Sequence, residues 1–255
     1  MNLLICLITY NRLDYTQRTI QSLLETIEVP YYLVAVDNNS SDGTQKWLKE
    51  CGLFDKVILN PDNYYPGKAT NIGWTQGLLS YPQATHLMRL DNDMHFEKGW
   101  DTNVKRYFDA IPELGQLGLD HDAISADENN VGGSIFTLNG VTVDGWPGCV
   151  GGPNIIRREV WEKGARYDET PWYSDGTGRT MQEDSKFSRF IRNKLDYFIG
   201  HPIERLSYTF ANQSNWEDYP DYYLKTMTER GYQNVYKEKL DELKKQSADV
   251  TTKQE

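Results

Sequence analysis

Tyr31-Tyr32-Leu33-Val34-Ala35-Val36-Asp37-Asn38-Asn39-Ser40-Ser41-Asp42-Gly43-Thr44 moves from an apolar run into a cluster of turn formers. Five apolar or aromatic residues, Tyr32 to Val36, are too few for a helix and have the length of a buried strand. Asp, Asn, Ser and Gly then end it abruptly. The same unit recurs on both sides. Upstream, Leu3 to Thr9 is apolar and stops at Tyr10-Asn11-Arg12. Downstream, His86 to Leu90 stops at Asp91-Asn92-Asp93. Between these runs, residues 13–27, 44–51 and 68–80 carry helical spacing, and Lys56 to Leu59 reads as a further short strand. Strands alternating with helices predict a parallel sheet covered on both faces, an α/β fold of Rossmann-like type. Ligands of such sheets bind beyond the carboxyl ends of the strands, where all three polar clusters fall.

The second half is less regular. Residues 94–111, 154–164 and 182–194 read as helices, 115–145 as short strands with Asn/Gly turns, and 145–153 as a Gly-rich loop. A strand over 195–199 leads to Gly200-His201-Pro202, which reads as a loop. From Trp216 to about Leu243 the spacing is helical, and the tail 247–255 is polar and expected to be disordered. This divides the chain into a main domain over 1–215, with a first half to about 100 and a second over 101–215, and a helical extension over 216–246.

The 255 residues carry 27 Lys+Arg against 37 Asp+Glu, a formal charge of −10. That balance disfavours a protein gripping nucleic acid by its phosphates, which needs a basic face. An anionic small ligand would need a local attraction instead. No stretch approaches the roughly 18 apolar residues of a membrane span. Three cysteines without metal spacing fit reduced, buried thiols and a cytoplasmic setting. The 17 Tyr and 7 Trp, several in Gly- or Pro-rich loops, suit flat polar ligands with an apolar face, sugars among them.

Three places carry chemistry. Asp91 and Asp93, two apart on a strand exit, can chelate Mg²⁺ or Mn²⁺ and leave positions for phosphate oxygens, though Asp and Asn are also ordinary turn formers. His201 could complete that site if the fold returns it there, or serve the structure alone. Glu183-Asp184 begins the helix EDSKFSRFIR, where carboxylates either complement the helix dipole or present a general base. Asp120-His121-Asp122 is an alternative metal cluster in turn-like surroundings. The segment Thr170 to Thr180 could form a lid. No GxxxxGK[ST], HExxH or GxSxG is present.

In this order, the segments resemble GT-A glycosyltransferases, the family 2-like members in particular, over about residues 3–212. Leu7 to Arg12 is similar to the family's first strand and T-Y-N-R exit, and Val36 to Thr44 to its V-D-N-x-S-x-D-G-T turn. Gly67, Ala69, Asn71 and Gly73 match G-x-A-x-N-x-G. Asp91-Asn92-Asp93 stands at D-x-D, followed by Gly99-Trp100, and Gly151-Gly152 and Glu183-Asp184 resemble the acceptor loop and E-D motif. The resemblance implies a metal-dependent transferase moving a sugar from a nucleotide-sugar donor, expected to be a UDP-sugar, to an acceptor hydroxyl with inversion. It implies a base-side set of Thr9, Asn11 and Asp37, with Asp37 accepting the uracil imide. Arg12, Asn39 and Asn92 would join the donor site, and Lys68 and Asn71 would lie near ribose, diphosphate or sugar. Asp91 would face ribose or metal, Asp93 would be the principal ligand of Mn²⁺ or Mg²⁺, and His201 a late ligand. Asp184 would be the base, with Glu183 as runner-up. Trp146, Gly152 and Trp172 would contact sugar or acceptor, the two tryptophans alternatively packing their loops. A glycan, lipid-linked sugar, protein or modified DNA base would be the acceptor. The rivals are a sugar-nucleotidyltransferase, whose basic Gly-rich loop is not found at residues 10–14, and a non-catalytic sugar-binding homologue.

Overall fold

The computed structural model describes residues 1–120, 134–145, 150–170, 183–211, 217–229, 237–239, 241, 242, 244 and 245. His121, Asp122, Trp146, Cys149, Trp172 and the tail 247–255 lie outside these, as does nearly all of the proposed lid. The chain forms two compact units, Met1–Glu169 with Glu183–Thr209, and Thr170–Gln182 with Phe210–Glu255.

The first unit is built on a nine-stranded sheet. Its first half follows the alternating pattern: β1 (Leu3–Thr9), α1 (Leu13–Thr26), β2 (Tyr31–Asp37), α2 (Thr44–Glu50), β3 (Lys56–Leu59), α3 (Tyr65–Ser80) and β4 (His86–Asp91). β1 is buried throughout and its alternate residues feed two cores. Leu3, Ile5 and Leu7 join one with Ile20 and Leu23 of α1, while Leu4, Cys6 and Ile8 join the other with Ala69 and Trp74 of α3. This two-sided burial is why the strand reads as an unbroken apolar run.

Then come β5 (Met94–Phe96), α4 (Trp100–Ala110), β6 (Leu114–Gly118), β7 (Ser134–Leu138), β8 (Val141–Gly145), β9 (Asn154–Arg157), α5 (Arg158–Glu162), α6 (Glu183–Leu195), β10 (Phe198–Pro202) and β11 (Ser207–Thr209). The sheet order is β3-β2-β1-β4-β9-β6-β10-β8-β7. β3, β2, β1 and β4 are parallel. β9 is antiparallel to both β4 and β6, β10 is parallel to β6, and β8 is antiparallel to β10 and β7. The sheet is therefore parallel on the first side and mixed on the second.

Three readings need correction. The helix expected over 94–111 begins only at Trp100, after Gly99 at φ 78, and Met94–Phe96 is a strand paired with β11. The helix expected over 154–164 is strand β9 followed by α5. The Gly200-His201-Pro202 loop is part of β10. In the second unit, α7 (Pro220–Glu229) gathers Tyr219, Tyr222, Tyr223, Leu224 and Met227 into a small apolar cluster.

The chain runs outward through β1, β2 and β3, then α3 carries it back to β4 on the other side of β1. That reversal opens a crevice beyond the carboxyl ends of β1 and β4. Asn11, Arg12 and Asp91 to Asp93 stand there.

Candidate active site

The β1 and β2 exits are tied by one carboxylate. Asp37 is fully buried, and its Oδ1 accepts from Thr9 Oγ1 (2.8 Å) and Ser40 Oγ (2.5 Å). Its Oδ2 accepts from Ser40 N and Gln45 Nε2, both at 2.9 Å. A carboxylate has about four lone-pair sites, so all are taken. A uracil imide could reach Asp37 only if Ser40 or Gln45 released it. Asn11 closes the same knot: its N donates to Ser40 Oγ at 2.7 Å, and its Oδ1 accepts from Ser41 N at 2.9 Å. Asn39 is exposed at φ 64 beside it.

Asn11 and Arg12 are both left-handed, at φ 53 and 60, a conformation that is costly for Arg. It turns the Arg12 side chain towards the exit of β4. Nη1 donates to Asp93 Oδ2 at 3.0 Å and Nη2 to Asn92 Oδ1 at 2.5 Å. Asn92 is buried and donates to Asn11 O (3.1 Å) and Thr16 Oγ1 (3.0 Å), so it holds the two exits together.

Asp91 faces a second arginine. Arg89, buried in β4, donates from Nε to Asp91 Oδ1 at 3.1 Å, and from Nη1 to Asp184 Oδ1 at 2.6 Å and Glu183 Oε1 at 3.5 Å. The Gly151-Gly152 loop borders both Asp91 and Asp184. Gly152 N donates to Asp184 Oδ2 at 3.4 Å, and a Cβ on Gly152, whose φ is +55, would stand 3.6 Å from Asp91 Oδ2. Glu183 turns instead towards α3, where a Cβ on Gly67 would lie 3.0 Å from its Cγ. The neighbours of the E-D pair thus have different surroundings. Asp184 borders the glycine loop, and Glu183 is packed beneath the start of α3.

Four carboxylates, Asp91, Asp93, Glu183 and Asp184, meet two guanidiniums, Arg12 and Arg89. The burial of these carboxylates shows in proton affinity. Burial, reinforced by Glu183 and Asp91 against the pull of Arg89, raises Asp184 to about 7. Burial likewise raises Asp93, with Arg12 opposing and Asp91 adding to the rise. Asp91 and Asp93 remain partly exposed, at 27% and 17% of their side chains. No group of three or more His, Cys, Asp or Glu converges into a protein-made cage among the described residues. The arrangement fits a hard cation held by one or two carboxylates together with substrate phosphates.

His201 is not among any group of three or more His, Cys, Asp or Glu that converge in the described residues. It is buried in β10, paired with Asp144 of β8, and its ring lies where a Cβ on Gly118 would be. Asn71 is a strap rather than an open donor: it donates to Tyr167 O (2.9 Å) and Glu169 Oε1 (3.0 Å) and accepts from Tyr167 N (3.1 Å). The glycines around it allow close approach, since a Cβ on Gly73 would collide with Cys6 Sγ and one on Gly67 would sit 2.5 Å from Asp168 O. Lys68 Nζ lies 3.9 Å from the centre of the Tyr64 ring. Arg89, Ser40, Gln45 and Tyr167 were not singled out from sequence. Arg89 did leave a signal, a lone cation inside an apolar strand two residues before Asp91.

A crevice at the reversal of a parallel half-sheet, with an acidic exit from β4 and a second acidic pair across a glycine loop, defines the GT-A class. Residues 4–164, well over half of the chain, match the family model described as glycosyl transferase family 2. The chain belongs to that family. Its structure is similar to TarS 1–349 of S. aureus, at TM-score 0.57 and 17% identity over 90% of this chain and 65% of that one. It is also similar to the mannosyltransferase PcManGT of Pyrobaculum calidifontis in complex with GDP-Man and Mn²⁺, at 0.57 and 14% over 90% and 62%. GalNAc-T7 with UDP, GalNAc and Mn²⁺ matches at 0.57 and 14% over 82% and 43%. The chain thus spans less than two thirds of each. A search of curated protein sequences finds no match. Among the described residues no helix is long and apolar enough to cross a membrane.

Proposed function

We propose that this chain transfers a sugar from a nucleotide-sugar donor, a UDP-sugar first among them, to an acceptor hydroxyl. The observation that carries the reading is that Asp91 and Asp184 share Arg89 and both border Gly152, with proton affinity at Asp184 raised to about 7. A base whose proton affinity lies near working pH both accepts and releases a proton readily. Asp184 takes the hydroxyl proton while the acceptor oxygen attacks the anomeric carbon opposite the departing diphosphate, and one such displacement inverts the sugar. TarS in complex with UDP and with UDP-GlcNAc, and the GDP-Man complex of PcManGT, support the donor class.

Asp93 and Asp91 would hold a Mn²⁺ or Mg²⁺ ion, which when bound stabilises the leaving diphosphate as a Lewis acid. Arg12 keeps Asp93 and Asn92 in register with the β1 exit. The Asp37 knot shapes the floor under the base, and Lys68 offers a cation on the α3 side.

The test is a thermal-shift titration with UDP, with and without MnCl₂, followed by nucleotide release from a panel of UDP- and GDP-sugars. Ligand binding stabilises the folded protein by RT ln(1 + [L]/Kd), so a tighter ligand raises the unfolding temperature further. The expected result is a Mn²⁺-dependent shift with UDP that EDTA abolishes and Asp93→Asn loses. An unchanged shift in Asp93→Asn, or no nucleotide release from any donor by the wild type, overturns the reading.

A further inference from the structure

We propose that Arg89 is the positioning residue of the base. It grips Asp184 by Oδ1 so that Oδ2 is the oxygen presented along the glycine loop, and it fixes that oxygen relative to Asp91 through the same rigid guanidinium. The inference rests on reading Asp184 as the base.

The geometry separates this role from simple charge neutralisation. Arg89 uses different nitrogens for different partners, Nε for Asp91 and Nη1 for Asp184. Because the guanidinium is planar and its donors are fixed relative to one another, holding both carboxylates sets their separation and tilt. A point charge attracts both and indexes neither. Only Oδ1 of Asp184 is engaged by the arginine, at 2.6 Å; Oδ2 meets Gly152 N at the longer 3.4 Å. Division of labour between the two oxygens follows: one is held, and the other is addressed to the loop.

The guanidinium is itself held. Arg89 lies in a strand paired on both sides, opposite Cys6 of β1 and Asn154 of β9. Its guanidinium carbon stands 5.4 Å from the centre of the Tyr167 ring. That ring is stacked on Phe187 of α6 at 3.9 Å, and its hydroxyl accepts from Asn154 Nδ2 at 2.9 Å. Asn71 of α3 fastens the backbone of Tyr167 from the far side. Two strands therefore flank its backbone, and the ring beside its guanidinium is held by α3 and α6. A supporting shell of this kind is what keeps a reactive group within a fraction of an ångström of its working geometry.

Arg89→Lys tests the idea, since it keeps the charge and removes the plane. With the nucleotide sugar that gives the fastest UDP or GDP release in the panel, kcat and KM are measured for the wild type, Arg89→Lys, Asp184→Asn and the double variant. Nucleotide affinity with MnCl₂ and unfolding temperature are followed alongside. The expected result is a kcat at least about 30-fold lower in Arg89→Lys, with KM and nucleotide affinity within about threefold. The double variant should be no slower than Asp184→Asn, because residues acting as one unit are not additive. A kcat in Arg89→Lys within threefold of wild type overturns the inference, and so does a double variant whose loss is the product of the single losses. If Arg89→Lys fails to fold, the charge-balanced Arg89→Gln/Glu183→Gln variant is compared with Glu183→Gln, and equal kcat in that pair overturns it. An active Asp184→Asn sinks the base reading itself, whereas an inactive Asp184→Asn beside a fully active Arg89→Lys sinks only this inference.

Discussion

Two buried carboxylate centres stand along one edge of the sheet and are solved in opposite ways. Asp37, at the end of β2, is surrounded by neutral donors: two hydroxyls, an amide side chain and a backbone N–H. Its hydrogen bonds come from three residues, and its acceptor capacity is filled. The centre at the end of β4 instead gathers three carboxylates, Asp91, Glu183 and Asp184, on the single guanidinium of Arg89. Burial, with Glu183 and Asp91 close by, outweighs the pull of Arg89 there, and Asp184 holds its proton to about 7. The first arrangement is what a scaffold needs, since every polar group is satisfied and nothing is left to react. The second leaves electrostatic stress in place, as functional sites do.

Substitution should separate the two in sign as well as size. Asp37→Asn has the largest expected effect on stability. Its new amide meets either Ser40 N and Gln45 Nε2, which cannot accept, or the Thr9 and Ser40 hydroxyls, which can accept but then lose their own acceptor, so buried N–H or O–H groups are left unmatched at about 1–3 kcal/mol each. A loss of about 3 kcal/mol in urea unfolding is expected. Asp184→Asn should do the reverse. A raised folded-state proton affinity means that the native protein holds more protons than the unfolded chain between the usual carboxylate range and about pH 7. Stability therefore falls as pH rises through that window, by at most about 1.4 kcal/mol per unit. Asp184→Asn removes this slope, so it should gain about 1–2 kcal/mol over wild type at pH 8 and nothing near pH 4. Chemical unfolding at both pH values checks it. A destabilised Asp184→Asn at pH 8 would make the two centres alike.

The two centres were not equally legible in the sequence. The Asp37 knot is local: Asp37, Ser40 and Gln45 lie within one turn-and-helix segment, and Thr9 joins through the register Thr9–Asp37 of parallel strands. Apolar runs with abrupt polar exits announce such strands. The second centre depends on antiparallel strands that carry no periodic signal. β9 has four residues and runs directly into α5, so its apolar residues extended the helical pattern backwards. β5 has three and was absorbed in the same way by α4. His201 looked like a loop residue between Gly and Pro because its partner, Asp144, comes from a hairpin distant in sequence. The acidic motifs at Asp91, Asp93, Glu183 and Asp184 were visible one by one. That Arg89 joins three of them requires α6, packed on β6 and β10, to bring its first residues to β4, which a single sequence does not reveal.

The smallest expected effect probes the comparison most directly. Thr9→Val deletes one of the neutral donors to Asp37 while nearly preserving shape, and leaves Oδ1 still bonded to Ser40 Oγ. A neutral hydrogen bond of this kind contributes about 1 kcal/mol, so urea unfolding should show a loss near that figure. Thr9 is fully buried, and the added methyl faces a carboxylate, which keeps the change from being neutral. In a knot fed by several independent donors, losing one is a minor injury. At the second centre, replacing the single shared arginine removes the contact that several carboxylates have in common. If Thr9→Val instead cost as much as Asp37→Asn, the knot would hang on one donor, and the distinction between a redundant scaffold and a centre keyed to one side chain would fail.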